Sequence, residues 1–399
     1  MTRTELLPWP LDKVETRARQ VGLGALVLLL IGLLFNPGHF FRSYFFAYLF
    51  VLGLPMGCLG MAMVHTLVGG GWGLIIRRFQ AAAFSTLPYV AVLGLPLLLG
   101  LRFLYPWARS DQVAHEPALA YRAWCFNTPF FILRSGAYLA IWIVLALVFR
   151  RWSEQYDRTP DEPHRIRLQR LSAAGILIYI LTMTLASLDW IMSREVQWYS
   201  TIFGFILVVG QTLAGFAFAV LVLTLLIRQR PFVNVVTPTH LNDLGTLVFM
   251  LVILFAYMAF AQYLIIWSGN IQEEITWYVA RTAPGWKFLA GLLIVFHFFV
   301  PFFVLLSRNN KQAPRMLGII AGLLLFMRLL DLLWMVAPSG GDPHTPPGFY
   351  WTDVVAPVAL GGIWLKLCLW NLRSRPLLMR QQPGAEIAAY GEHASRGVD

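Results

Sequence analysis

The 399-residue sequence is poor in charge, since only 13% of its residues are Asp, Glu, Lys or Arg and 58% are hydrophobic. Globular domains usually carry about 25% charged residues. The apolar residues form continuous runs and do not alternate with polar ones, which excludes a transmembrane β-barrel. The scarcity of charge and the long apolar runs together indicate an all-α integral membrane protein.

Cysteine is also scarce, and its placement excludes several redox sites. Cys58, Cys125 and Cys368 form no Cys-x-x-Cys or Cys-x-x-Cys-His motif, and such spacings would be needed for an iron–sulfur cluster or a covalently attached haem. A haem held by His297 and His65 is an alternative, but the two histidines lie at different predicted depths. We therefore expect no cofactor and no metal in this chain.

Ten apolar runs are candidates for membrane-spanning helices, because about 20 apolar residues make one crossing. Each run is bounded by polar or turn-forming residues, and the first one is short. The runs lie near residues 20–35, 43–67, 83–104, 130–149, 172–190, 202–227, 244–267, 286–306, 315–337 and 354–371.

Basic residues are concentrated on one side of this arrangement. If the ten helices alternate in direction, the loops on the side of the N-terminus hold most of the 31 Lys and Arg residues. The positive-inside rule then places both termini in the cytoplasm, with residues 1–19 and 374–399 as cytoplasmic segments. The net charge of +11 is thus explained by topology and requires no nucleic-acid partner.

Two of the predicted helices end in a similar pattern. LASLDWIMS (185–193) ends the fifth helix and RLLDLLWMVAP (328–338) ends the ninth, and each places an Asp before a Trp and a Met. Helices that are four crossings apart share one orientation, so the pattern predicts a parallel repeat. Chance similarity between two leucine-rich helices is the alternative. The predicted units are a first helix and loop at 20–42, four-helix bundles at 43–200 and 201–338, and a tenth helix at 339–373.

Arg328 and Asp331 are placed near the middle of the apolar run 322–338. Each charge costs about 2.5–3.5 kcal/mol at the centre of a membrane helix. Because the two residues are three apart, they share a helix face and can pair. We interpret them as a proton or ion relay, and the alternative is a structural ion pair that fixes the ninth helix against its neighbours.

Other polar residues in the apolar runs are candidates for the same path. Asp189 is the repeat counterpart of Asp331, and an interfacial Asp that touches water or headgroups is its alternative. His297 can exchange protons near neutral pH, although buried histidines are often only hydrogen-bonded core residues. Tyr257 and Gln262 can hold water or carry protons, but interhelical hydrogen bonding is the commoner use of such residues.

Several stretches together resemble the smaller NrfD-like membrane subunits of bacterial alternative complex III, the ActF subunits. The resemblance covers roughly residues 40–370, and no single motif decides it. It is carried by LASLDWIMS followed by WYSTIFG (198–204), by AYMAFAQYLIIWSGNIQEEITWY (256–278), and by FHFFVPFFVLLSRNNKQ (296–312) leading to MRLLDLLW (327–334).

The resemblance implies a subunit of a respiratory quinol:electron-acceptor oxidoreductase in the bacterial inner membrane, without a redox cofactor of its own. The expected partners are a larger NrfD-like subunit that binds the quinol, together with multihaem cytochrome c and iron–sulfur subunits that carry haem c and the clusters. The smaller subunit is expected to help move protons. One departure concerns Val196 and Gln197, where the family pattern has a Pro-His pair.

On this reading, Asp331 paired with Arg328 is the central proton site, and His297 and Tyr257 relay protons from the cytoplasmic half. Gln262 would order water, and Asp189 would be the equivalent group of the first bundle. Glu273 and Glu274 are candidates for docking a basic partner, or they form a solvated acidic loop. Two other functions stay open: a catalytic chain that itself binds quinol, and an independent ion-coupled transporter.

Overall fold

The computed structural model describes residues 11–229, 232–339 and 348–373. Within these ranges the regular structure is helical, and ten helices are long and apolar enough to cross a membrane. The prediction of an all-α integral membrane protein is therefore confirmed. The predicted tail at 374–399 and the first ten residues of the N-terminal segment lie outside the described ranges.

The ten long helices follow the predicted order. Short helices lie in the connections, among them Ser110–His115, Pro117–Arg122 and Gln272–Val279. The long helices are α1 (Leu11–Phe35), α2 (Pro37–Val68), α3 (Gly71–Leu104), α4 (Thr128–Arg158), α5 (Glu162–Trp190), α6 (Phe203–Leu226), α7 (Pro238–Gly269), α8 (Pro284–Leu306), α9 (Pro314–Val336) and α10 (Thr352–Arg373).

Local sequence signals explain where several helices begin. Asn36, Asn127, Asp161 and Thr237 each accept a hydrogen bond from the backbone N–H three residues later, and each helix has a proline in its first turn. These are preferred N-cap residues, and proline is tolerated in the first helical turn because its missing N–H has no intrahelical partner there. The helices therefore start outside the apolar runs and are longer than hydropathy alone predicts.

The largest difference from the prediction is at the start of α3, which was expected near residue 83. Gly69 and Gly70 have positive φ angles of 77° and 101°. Glycine adopts such angles without a steric penalty, and they turn the chain away from the axis of α2. The helix then begins at Gly71, and Ile76 and Phe79 are buried. The amphipathic segment after the glycines is thus a packed helix of the protein.

The centre of the protein is the contact between α2 and α6, which are the most completely buried of the long helices. Glycines bring their backbones together, as small residues do in membrane proteins. A Cβ atom at Gly57 would lie 1.8 Å from the carbonyl oxygen of Gln211, and one at Gly215 would lie 2.4 Å from the backbone nitrogen of Cys58. Helices α3, α5, α9 and α10 also pack on α2, and α5, α7 and α9 pack on α6.

Contacts between helix ends define two sides of the protein. On one side, here called side A, Arg77 forms an ion pair with Asp157 at 2.8 Å and Arg373 forms one with Glu15 at 2.7 Å. On the other, side B, Arg42 pairs with Asp353 at 3.2 Å. These contacts agree with helices that alternate in direction. The assignment of side A to the cytoplasm and the division into two bundles stay predictions.

Candidate functional site

The central polar group is an ion pair on α9. Arg328 Nη1 donates to Asp331 Oδ2, as their spacing predicts, and only 1% and 7% of the two side chains are exposed. Asp331 lies five residues before the end of α9, about 7.5 Å along the axis at 1.5 Å per residue. The carboxylate is therefore nearer to side B than its place in the apolar run predicts.

Helices α6 and α7 provide the surroundings of the guanidinium. A Cβ atom at Gly210 of α6 would lie 2.3 Å from Arg328 Cζ, so the absence of a side chain there makes room for the cation. On α7, the ring of Phe255 lies 5.5 Å from the same Cζ, within the range of a cation–π interaction. The ion pair is thus held among three helices.

His297 also packs on Phe255, and their ring centroids lie 4.8 Å apart. It belongs to the π-helical turn Leu293–Phe299 of α8, a type of irregularity that is frequent at functional sites. His297 Nε2 and Arg328 Nη2 are both buried, and neither has a hydrogen-bond partner among the described residues. Buried polar groups usually have partners, ordered water included, so this part of the interior is suited to binding water.

A further polar pair lies beside the site and was missed by the sequence reasoning. The Tyr179 hydroxyl of α5 donates to Gln211 Oε1 at 2.8 Å, and both residues are only 2% exposed. Gln211 follows Gly210 directly, and Tyr179 is within electrostatic range of Arg328. The available signal was a single Gln in FGFILVVGQTLAGFAF (203–218), an otherwise almost fully apolar helix.

Asp189 also forms an ion pair, but with a residue of another helix. Arg134 of α4 binds it with two parallel hydrogen bonds of 2.8 Å, and the Tyr138 hydroxyl donates to Oδ2 at 2.8 Å. Sequence reasoning missed Arg134 as the partner. In α5 the position three residues before Asp189 is Ala186. Asp189 and Asp331 are therefore each paired with an arginine, but only the arginine of Asp331 lies on the same helix as its carboxylate. Whether they descend from one repeat stays a prediction.

The structure does not bring Tyr257 into this cluster. Its side chain is 68% exposed on the outer face of α7, because Phe255, two residues earlier, faces the interior. Tyr257 is therefore not packed among the residues of this cluster, and the relay from His297 through it stays a prediction. Gln262 is buried near side B, where its Oε1 accepts from Ser200 Oγ at 3.2 Å and its Nε2 donates to the Tyr278 hydroxyl at 3.4 Å.

Two buried arginines bind the side-B end of α9. Arg281 donates to the carbonyl oxygens of Trp334 at 3.0 Å and Met335 at 2.7 Å, and Arg194 donates to that of Val336 at 2.7 Å. Burial lowers the pKa of Arg281 to about 9, which leaves it charged at neutral pH. Cations at a helix C-terminus offset the negative end of the helix dipole, and Asp331 lies one to two turns away.

The remaining predicted site residues, Glu273 and Glu274, lie at the protein surface. Glu273 and Glu274 occupy the first turn of the helix Gln272–Val279 on side B, and Glu273 is exposed. In the part of the chain that the structure describes, no group of three or more His, Cys, Asp and Glu residues could hold a metal ion.

Comparison with known proteins gives no family assignment: neither the protein-family models nor the curated proteins include one that matches this chain.

Proposed function

We propose that this chain is a membrane subunit of a respiratory quinol:electron-acceptor oxidoreductase and carries part of its proton path. The observation that carries the proposal is the buried Arg328–Asp331 pair, with His297 packed on Phe255, the same phenylalanine. Two buried nitrogen atoms there, one on His297 and one on Arg328, have no hydrogen-bond partner in the described part of the chain. Ionisable groups this deep in a membrane protein typically mark ion or proton pathways. The motif resemblance to NrfD-like subunits supplies the respiratory context.

In this proposal Arg328 keeps Asp331 ionised until a proton arrives, because a nearby cation favours the carboxylate. Protonation of Asp331 weakens the pair, and release of the proton restores it. His297 receives protons from side A, with Tyr179 and Gln211 beside the route as hydrogen-bonding residues. Redox chemistry belongs to the partners: quinol in a larger NrfD-like subunit, and haem c and iron–sulfur clusters in extramembrane subunits. Glu273 and Glu274 face those partners on side B, the proposed periplasmic side.

A second candidate is that this chain itself binds quinol. The specific observation in its favour is Asp189 with Arg134 and Tyr138, since the Arg134 side chain is 16% exposed and lies 4.2 Å from the exposed ring of Phe130. A photoaffinity quinone that labels residues around Arg134 would favour this function. Labelling of a partner subunit alone would favour the proton-path subunit.

The complex can be tested by purifying the tagged chain in a gentle detergent, followed by mass spectrometry and a reduced-minus-oxidised optical spectrum. We expect multihaem c and iron–sulfur subunits to co-purify and to give a cytochrome spectrum. A colourless, solitary and folded chain would contradict the proposal and would favour an independent ion-coupled transporter, which transport by the lone chain in liposomes would then test.

A further inference from the structure

Three tryptophans lie between the ion pair and side B. Trp334 is three residues after Asp331 and so shares its face of α9, one turn nearer to side B. Its ring meets that of Trp277 edge-on at 5.2 Å, and Trp198 stacks on Trp277 at 4.9 Å. We call Trp198, Trp277 and Trp334 the tryptophan cluster.

Two indole groups of this cluster have no hydrogen-bond partner within the described ranges. Nε1 of Trp198 and Nε1 of Trp334 are buried, and neither has a hydrogen-bond partner among the residues that the structure describes. Other buried indoles of the protein are satisfied: Trp142 donates to Thr182 at 2.8 Å, Trp190 to Ser135 at 2.9 Å and Trp364 to Thr86 at 3.0 Å.

The chemistry of the indole indicates what the partner is. An indole N–H can only donate, and leaving a buried donor unpaired costs about 1–3 kcal/mol. Its partner must therefore supply a lone pair, and ordered water is the acceptor that buried groups commonly use. Two such donors lie within one aromatic cluster, and Trp334 is one turn from Asp331 on α9. They point to bound water and not to a single isolated defect.

Polar groups continue from the cluster towards the surface of side B. Ser200, two residues after Trp198, donates to Gln262, which donates to the hydroxyl of Tyr278, the neighbour of Trp277. Burial raises the pKa of Tyr278 to about 12, so its hydroxyl stays protonated at neutral pH and can donate to water. Ser200 and Tyr278 are themselves partly exposed. The polar groups thus reach the surface.

We propose that the tryptophan cluster binds ordered water that connects Asp331 to the surface of side B, as the release half of the proton path. This inference rests on the proposed function. In the release step the O–H bond of protonated Asp331 breaks as its proton bonds to the adjacent water oxygen, and the carboxylate returns to Arg328. A proton leaves the last water near Gln262 and Tyr278. The indoles hold water oxygens in place and carry no proton themselves.

The first test uses Trp334→Phe and Trp198→Phe, which remove the N–H donors and keep aromatic rings. The matched control is Trp190→Phe, whose indole already has a protein acceptor. We expect proton release by the reconstituted complex to slow by about tenfold in either cluster variant, the effect of losing about 1.4 kcal/mol of water binding. Electron transfer measured with an uncoupler should be unchanged, and the control should behave as wild type.

Comparison with Asp331→Asn separates the two proposals. If Asp331→Asn lowers the number of protons moved per electron but neither cluster variant slows proton release, the water route is wrong and the proton-path function stands. If none of the three has an effect, both are wrong.

A spectroscopic measurement tests the water independently of activity. Ultraviolet resonance Raman difference spectra, wild type minus Trp334→Phe, report whether the lost indole N–H was hydrogen-bonded and exchanged in D2O. We expect a hydrogen-bonded indole that exchanges with solvent, whereas an unbonded or non-exchanging one would overturn the proposal. Should Trp334→Phe fail to fold, the Trp198→Phe difference spectrum makes the same test.

Discussion

Replacement of Gly210 by Ala tests how the Arg328–Asp331 pair is held. The new Cβ atom would lie 2.3 Å from Arg328 Cζ and 2.4 Å from Nη1, the atom that binds Asp331. The end of an arginine side chain can move, so the clash itself is relieved easily. The guanidinium, however, must then leave its position beside the carboxylate.

The cost is therefore mainly electrostatic. Breaking a buried ion pair by removing one partner costs about 3–5 kcal/mol, whereas Gly→Ala within a helix contributes about 0.5–1 kcal/mol of stability. We expect Gly210→Ala to lower the free energy of unfolding by about 2–4 kcal/mol, the difference between these effects. Gly322→Ala on α9 is the control, because a Cβ atom there meets nothing within 4 Å.

The measurement is reversible unfolding in mixed detergent micelles, with the midpoint of the transition compared among wild type, Gly210→Ala and Gly322→Ala. The control should be at least as stable as wild type. If Gly210→Ala unfolded at the same midpoint as the control, the guanidinium would not depend on the space at Gly210, and the reasoning would be refuted.

Three further predictions concern other parts of the structure. Gly57→Ala would place a Cβ atom 1.8 Å from the Gln211 carbonyl oxygen, so we expect the free energy of unfolding to fall by about 3 kcal/mol in the same assay. Gly24→Ala is its control, because a Cβ atom there meets nothing within 4 Å. Equal midpoints for the two variants would contradict the α2–α6 contact. Arg134→Gln leaves Asp189 buried without its cation and should lower the free energy of unfolding by about 3–5 kcal/mol. Tyr138→Phe removes one hydrogen bond to the same carboxylate and should lower it by roughly 1.5–3 kcal/mol. Equal losses would argue against the two-bond ion pair. The pKa of Tyr278 is about 12 in the folded protein and about 10 in the unfolded chain. The stability that the protonated phenol contributes below pH 10 should therefore be lost between pH 10 and 12. If Tyr278→Phe lost as much stability as wild type over this pH range, the burial of the phenol would be refuted.

Hydropathy predicted the ten helices because each has to bury about 20 apolar residues in the bilayer. It could not predict where the helices end, because α4 continues to Arg158 and α5 begins at Glu162, both beyond the apolar runs. Those ends are set by caps and by ion pairs such as Arg77–Asp157, which join residues far apart in the chain.

The candidate site was predictable only where its partners are close in sequence. Arg328 and Asp331 are three residues apart, so a helix brings them together whatever surrounds it. The partners Arg134 and Asp189, and Tyr179 and Gln211, meet through packing between helices. The orientation of Tyr257 also required the structure, because both faces of α7 are apolar and the sequence gives no periodicity that distinguishes the interior from the lipid.

The central claim is that Asp331 gains and loses a proton during turnover. Infrared difference spectroscopy of the purified complex, recorded on addition of quinol, measures this directly through the carboxylic C=O stretch. We expect a carboxyl band that shifts in D2O, is absent in Asp331→Asn and persists in Asp189→Asn. The same carboxyl bands in wild type and Asp331→Asn would contradict the claim, since Asp331 would then keep one protonation state throughout turnover.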